Sequence, residues 1–80
     1  MLIRSTKEML EKAKAGRYAV AAFNAENMEM VQAIVEAAEE LKAPVIIQTT
    51  SGTLKYATPE LYYSMAAAVA QKSEIPVAIH

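Results

Sequence analysis

The sequence predicts an α/β fold built on parallel strands, and three observations carry that expectation. Short apolar runs that turn polar at their ends recur at Tyr18 to Asn24, Pro44 to Thr50 and Pro76 to His80. Between them lie two stretches with apolar residues spaced as on one face of a helix. The strand-opening Pro44 and Pro76 are set apart by one strand–helix unit, roughly 30 residues. Parallel strands joined by helices are almost always right-handed crossovers between neighbours, and both closed barrels and doubly wound sheets are built this way.

Taken in order, the chain first offers a helix. Ser5-Thr6-Lys7-Glu8 fits a capping box, in which Ser5 accepts from the N–H of residue 8 and Glu8 reaches back. Met9, Leu10 and Ala13 give this helix an apolar stripe, Glu8 and Lys12 pair one turn apart, and Gly16 reads as the residue just past its end. A packing role at the end of a sheet follows. Tyr18 to Asn24 is the first strand. Asn24 and Asn27 precede a periodic run, Val31, Ile34, Val35, Ala38 and Leu41, which predicts a helix to about Lys42. Met28 and Met30 in its first turn suit gap-filling core positions.

Pro44-Val45-Ile46-Ile47-Gln48-Thr49-Thr50 is rich in β-branched residues and lacks strict alternation, as expected of a buried strand in a parallel sheet. Ser51 to Ala57 reads as a loop with at most one helical turn. Thr58-Pro59-Glu60 then places a cap, a first-turn proline and a first-turn acid in sequence. The helix it opens is expected to run to about Lys72-Ser73 and to bury Leu61, Met65, Ala68 and Val69. Pro76 to His80 is the third strand. The predicted order is a leading helix, then β-α-β-α-β.

Composition narrows the function. Eight basic and nine acidic residues are interspersed without blocks, which argues against a nucleic-acid or membrane surface. No apolar run approaches the roughly 18 residues of a membrane span, and Met1-Leu2-Ile3 before Arg4 is too short for a signal sequence. The expectation is a cytoplasmic protein. The chain has one histidine, no cysteine and no aspartate. Zinc needs three or four His, Cys or carboxylate ligands, and a triad needs a base with a partner. These residues supply neither, so no complete catalytic site is expected here.

Side chains alternate along a strand. Asn24 therefore shares a face with Val20 and Ala22, matched by Ile46, Gln48 and Thr50 and then by Ala78 and His80. That face grades from apolar to polar. Asn24, Thr50 and His80 would line one mouth within roughly 10 Å, given strand spacings of about 4.8 Å. Sites of parallel α/β folds lie at that edge. Singly, the same residues read as a helix cap, a turn opener and an idle strand end. Ser51-Gly52 could turn backbone N–H groups toward a phosphate, although it fits no established phosphate-binding motif.

Several phrases resemble the class II, zinc-dependent ketose-bisphosphate aldolases. They are Thr6 to Leu10, Tyr18 to Asn24, Asn27-Met28-Glu29, Val31 to Ile34, Ala43 to Ile46 and Pro76 to His80. The resemblance runs through nearly the whole chain in order and implies the first third of a TIM (β/α)8 barrel. It implies a parent that cleaves fructose or tagatose 1,6-bisphosphate to dihydroxyacetone phosphate and an aldehyde, with zinc as cofactor and as a homo-oligomer.

In that family the third strand continues from a histidine like His80 into Asp and His, the acid/base and a zinc ligand, which would lie beyond residue 80. Zinc would polarise the ketose carbonyl while a carboxylate moves the C4 hydroxyl proton. Asn24 matches the family's substrate-binding asparagine. Thr50 matches a position near the substrate, and with Gly52-Thr53-Leu54-Lys55-Tyr56 it is similar to tagatose-bisphosphate members. The chain alone is expected to be inactive, metal-free and self-associating. A noncatalytic βαβαβ association module and a doubly wound ligand binder are the competing readings.

Overall fold

The computed structural model describes residues 1–80 and contains three parallel strands in the order β1-β2-β3, with four helices. Helix α1 is Lys7–Gly16, β1 Ala21–Asn24, α2 Met28–Glu40, β2 Val45–Gln48, α3 Ser51–Ala57, α4 Pro59–Gln71 and β3 Val77–Ile79. The register sets Ala22 beside Ile46 and Ile46 beside Ala78, with Asn24 beside Gln48. Burial follows the alternation in β2 alone: both faces of β1 are exposed, and Ala78 of β3 is buried although it shares the Asn24 face. Val45, Ile47 and Val77 are buried on one face under α2 and α4. Asn24 and Ala22 are exposed on the other. No helix is long and apolar enough to cross a membrane.

Helix α1 lies against the strand starts, where Met9, Tyr18, Pro44 and Pro76 line a cavity of about 360 Å³. Its ends differ from expectation. Ser5 Oγ accepts from the N–H of Lys7 at 3.2 Å rather than from residue 8. Thr6 holds the cap position without a side-chain bond. Glu8 turns instead to Lys12, 3.1 Å away, so the capping box does not form. The helix also closes one residue later than expected, with Arg17 rather than Gly16 in the left-handed region at φ 58°. Gly16 instead makes room for an aromatic ring, since a Cβ there would stand 2.7 Å from Cε1 of Tyr18. Leu10 is exposed, while Met9 and Ala13 are buried.

Helix α2 is capped by Asn27, whose Oδ1 accepts from the N–H of Met30 at 2.9 Å. Val31, Val35 and Ala38 are buried and Ile34 packs beside them. Leu41, expected in the stripe, falls beyond the last helical residue and is 77% exposed. The stretch 51–57 is a helix and not a loop. Thr50 caps it by accepting from the N–H of Thr53 at 3.4 Å, and Thr53 itself is buried.

In α4 the Thr58 cap forms, accepting from Leu61 N–H at 3.3 Å, with Pro59 opening the helix. The buried residues are Tyr62, Ala66 and Ala70, with Leu61 67% exposed and Ala68 exposed. The stripe is thus rotated from the one expected. Alanines at the contact let a helix sit close to its sheet, and the tyrosine then fills the space at the end. Met65 and Val69, also expected there, pack at the flank of this core.

One strand edge is partly covered. Val77 N–H donates to Met1 O at 2.8 Å and Ile3 N–H to Val77 O at 2.9 Å, so the segment before α1 lies along the outer edge of β3. The outer edge of β1 has no such partner. Beside it Phe23, 51% exposed, joins Ile34, Ala37 and Leu41 in an apolar groove of about 380 Å³. Open edges and apolar surface together favour pairing between chains. The isolated 80-residue chain is expected to self-associate in sedimentation, with apparent mass rising with concentration. A concentration-independent monomer with strongly protected amides in all three strands would show that these edges protect themselves.

Candidate functional site at the strand ends

The polar residues gather at the C-terminal ends of the strands because each run is apolar until its last residues. Asn24 ends β1 and Gln48 ends β2, and the register sets them side by side. Gln48 Nε2 donates to Asn24 Oδ1 at 2.7 Å. Asn24 is therefore not a helix cap, since Asn27 fills that position. Its carbonyl is held by the neighbouring strand, and an amide held there keeps its own two N–H donors for another partner.

Thr50 stands two residues beyond Gln48, exposed, at the start of α3. Its Oγ1 lies 3.3 Å from Thr53 Oγ1 as well as accepting from Thr53 N–H. The turn-opening reading of Thr50 is thus satisfied, and its hydroxyl remains at the rim. His80 is exposed just past β3. Its backbone continues the ladder, with N–H donating to Ile47 O at 2.7 Å and O accepting from Thr49 N–H at 3.1 Å. The rim joins Asn24 directly to Gln48; Thr50 bonds within its own helix start. Alternation alone puts Gln48 on this face without assigning it a function. The signal for it is an amide at the same register as Asn24, one strand over.

Behind the rim lies a buried polar pair. Tyr62 OH donates to the Ala25 carbonyl at 2.7 Å. Burial raises the phenol above its ordinary 10.0; the adjacent Thr49 hydroxyl works against that, and the Glu26 charge adds a smaller upward push. Thr49 Oγ1 is itself buried without a hydrogen bond of good geometry. No three His, Cys, Asp or Glu side chains converge on a point where a metal ion could sit.

A polar rim at the C-terminal end of a parallel sheet is the arrangement of an α/β enzyme. The family model for "Fructose-bisphosphate aldolase class-II" matches residues 4–80, and the chain belongs to that family. It is 51% identical over 73 residues to a fructose-bisphosphate aldolase of Thermus caldophilus, which takes in 91% of this chain and 24% of that one. The structure superposes on the YdjI aldolase from Escherichia coli K12 with a TM-score of 0.89 at 36% identity, over 100% of this chain and 31% of that one. A putative fructose-1,6-bisphosphate aldolase from Coccidioides immitis gives 0.86 at 27% identity, over 92% of this chain and 25% of that one. These neighbours are TIM-barrel aldolases, and this chain corresponds to their N-terminal part. It spans about a quarter of the length of the curated relative it matches.

Two outcomes follow from the site. Because the Tyr62 pKa is higher folded than unfolded, its contribution to stability is complete below pH 10 and is lost as pH rises through the folded value. Tyr62→Phe is expected to flatten that alkaline loss in a stability-versus-pH series. A zinc titration of the isolated chain by calorimetry is expected to show only the weak binding of a peptide with one accessible histidine, since about three ligands are needed for a catalytic site. One tight zinc per chain would mean that copies assemble a shared site.

Proposed function

We propose that this chain is the N-terminal segment of a ketose-1,6-bisphosphate aldolase, in which Asn24 and Thr50 contact the sugar bisphosphate. The observation that carries the reading is the Asn24 amide, fixed through its oxygen by Gln48 at 2.7 Å at the polar end of a parallel sheet. A donor already oriented binds a substrate oxygen without the entropy cost of being ordered. The Thr50 hydroxyl can donate to the same ligand while still accepting from Thr53 N–H. Fructose and tagatose bisphosphate, which differ in the configuration of one hydroxyl-bearing carbon, both offer oxygens to such a pair. Family membership supports the substrate class.

Aldol cleavage needs a polarised ketone and a group to take the C4 hydroxyl proton. The present residues do not form a metal site, and the chain has no aspartate. The zinc and the acid/base that the resemblance implies would be held by residues outside this segment. The part assigned to this chain is binding and orientation, and on its own it would be inactive.

In the full-length parent, Asn24→Ala is expected to lower kcat/KM by about 10- to 100-fold, the cost of one hydrogen bond to a charged or charge-developing oxygen. Metal content should stay unchanged. Steady-state kinetics with metal analysis test this; unchanged kinetics would leave Asn24 as a partner of Gln48 and nothing more.

A further inference from the structure

Ala25, directly after Asn24, is fully buried and held at both of its peptide groups. Its N–H donates to Gln48 O at 2.9 Å, and its carbonyl accepts from Tyr62 OH at 2.7 Å. The first bond fixes the peptide plane that leaves Asn24, and the second fixes the next plane along. With the Asn24 side chain also tied to Gln48, backbone and amide are set together. Only Tyr62 supplies this hold from outside the strand pair. It is 2% exposed and reaches the loop from α4.

We propose that Tyr62 is a positioning residue for Asn24, acting through the Ala25 carbonyl; the inference rests on the substrate-binding reading of Asn24. The phenol touches no substrate in this scheme. Without its hydroxyl the Ala25 carbonyl is buried and unpaired, which a protein relieves by turning the peptide toward water or another donor. That turn pulls on Ala25 and loosens its N–H bond to Gln48 O, so the strand end carrying Asn24 shifts and its amide moves off the substrate oxygen. The chemistry predicts weaker substrate capture while the fold stays intact, because Phe preserves the ring that fills the space between α4 and the loop.

A double-mutant cycle in the full-length parent enzyme tests this. Tyr62→Phe is expected to lower kcat/KM by about three- to tenfold, the worth of one ordinary hydrogen bond, chiefly through a higher KM. In an Asn24→Ala background the same change should have no further effect on kcat/KM, while its effect on Tm should be the same in both backgrounds. An equal kinetic loss in both, or none in the first, would overturn the inference and reduce Tyr62 to a core residue. If Asn24→Ala alone changes nothing, the substrate-binding reading fails and the positioning role goes with it. Should Tyr62→Phe not fold, 3,5-difluorotyrosine at position 62 keeps the shape and the donor but ionises more readily. Its kcat/KM should then fall at a lower alkaline pH than that of the wild type. Superimposable profiles would overturn the inference.

Discussion

The structure depends on β2 being paired on both sides in parallel. Neighbouring parallel strands cannot be joined by a tight turn, so each connection must cross over the sheet, here as α2 and as α3 with α4. The crossovers then have to bury their apolar stripes on the sheet. Val45 and Ile47 of β2 and Val77 of β3 supply the surface, and Val31, Val35, Ala66 and Ala70 meet it. Fully burying a side chain such as Ile47 contributes roughly 1.5–3 kcal/mol, so this single contact layer fixes which face of each strand looks away from the helices. The position of Asn24 is a consequence. Were β1 to slip by one residue, its whole set of side chains would change faces.

At the strand ends the same backbone pattern creates a polar problem, solved in three ways within a few residues. Asn27 commits its oxygen to the first turn of α2, and Thr50 commits its own to α3. Asn24 and Gln48 pair with each other. The third solution differs in kind. A cap uses up the acceptor to satisfy the protein's own backbone, whereas a cross-strand amide pair leaves donors free at an exposed rim. A second layer, Tyr62 on the Ala25 carbonyl, stiffens the loop behind. The rim is thus shaped by which oxygen is already committed.

Much of this is legible in the sequence, for reasons that can be named. Alternation sets the two faces and so puts Ala22, Ile46 and Ala78 on the face that carries Asn24. Asn27 and Thr58-Pro59 are readable as helix starts because capping chemistry is local. What is not legible depends on tertiary choice. Seven residues beginning Ser-Gly-Thr carry no stripe, so α3 reads as a loop; the Thr50 cap and the burial of Thr53 make it a helix. In α4 the sequence offers Leu61-Met65-Val69 and Tyr62-Ala66-Ala70 as rival stripes. Hydrophobicity favours the first, while close approach to the sheet, open only to small residues, selects the second. Tyr62 enters the core for that reason, and its role cannot be read without the structure. Ser5 does not form the capping box, since its Oγ accepts from Lys7 N–H while Glu8 pairs with Lys12.

The division of labour along the chain follows from the same geometry. A strand end in a parallel sheet can present only the one or two residues that follow its apolar run. Three strands therefore present a handful of groups, and those of this chain are amides, a hydroxyl and one imidazole. On the proposed reading such groups orient a ligand by hydrogen bonds, whereas polarising a ketone and accepting a proton takes at least a metal or strong cationic donor and a base. Barrel enzymes draw on the ends of several strands for this reason. Binding contacts and chemical groups then reside in separate stretches of sequence, and closure of the sheet brings them to one mouth. The open apolar groove beside β1 and the polar rim above it are two sides of that arrangement. On the proposed reading, that groove is surface that further strands would bury, and the rim residues would act together with groups those strands carry.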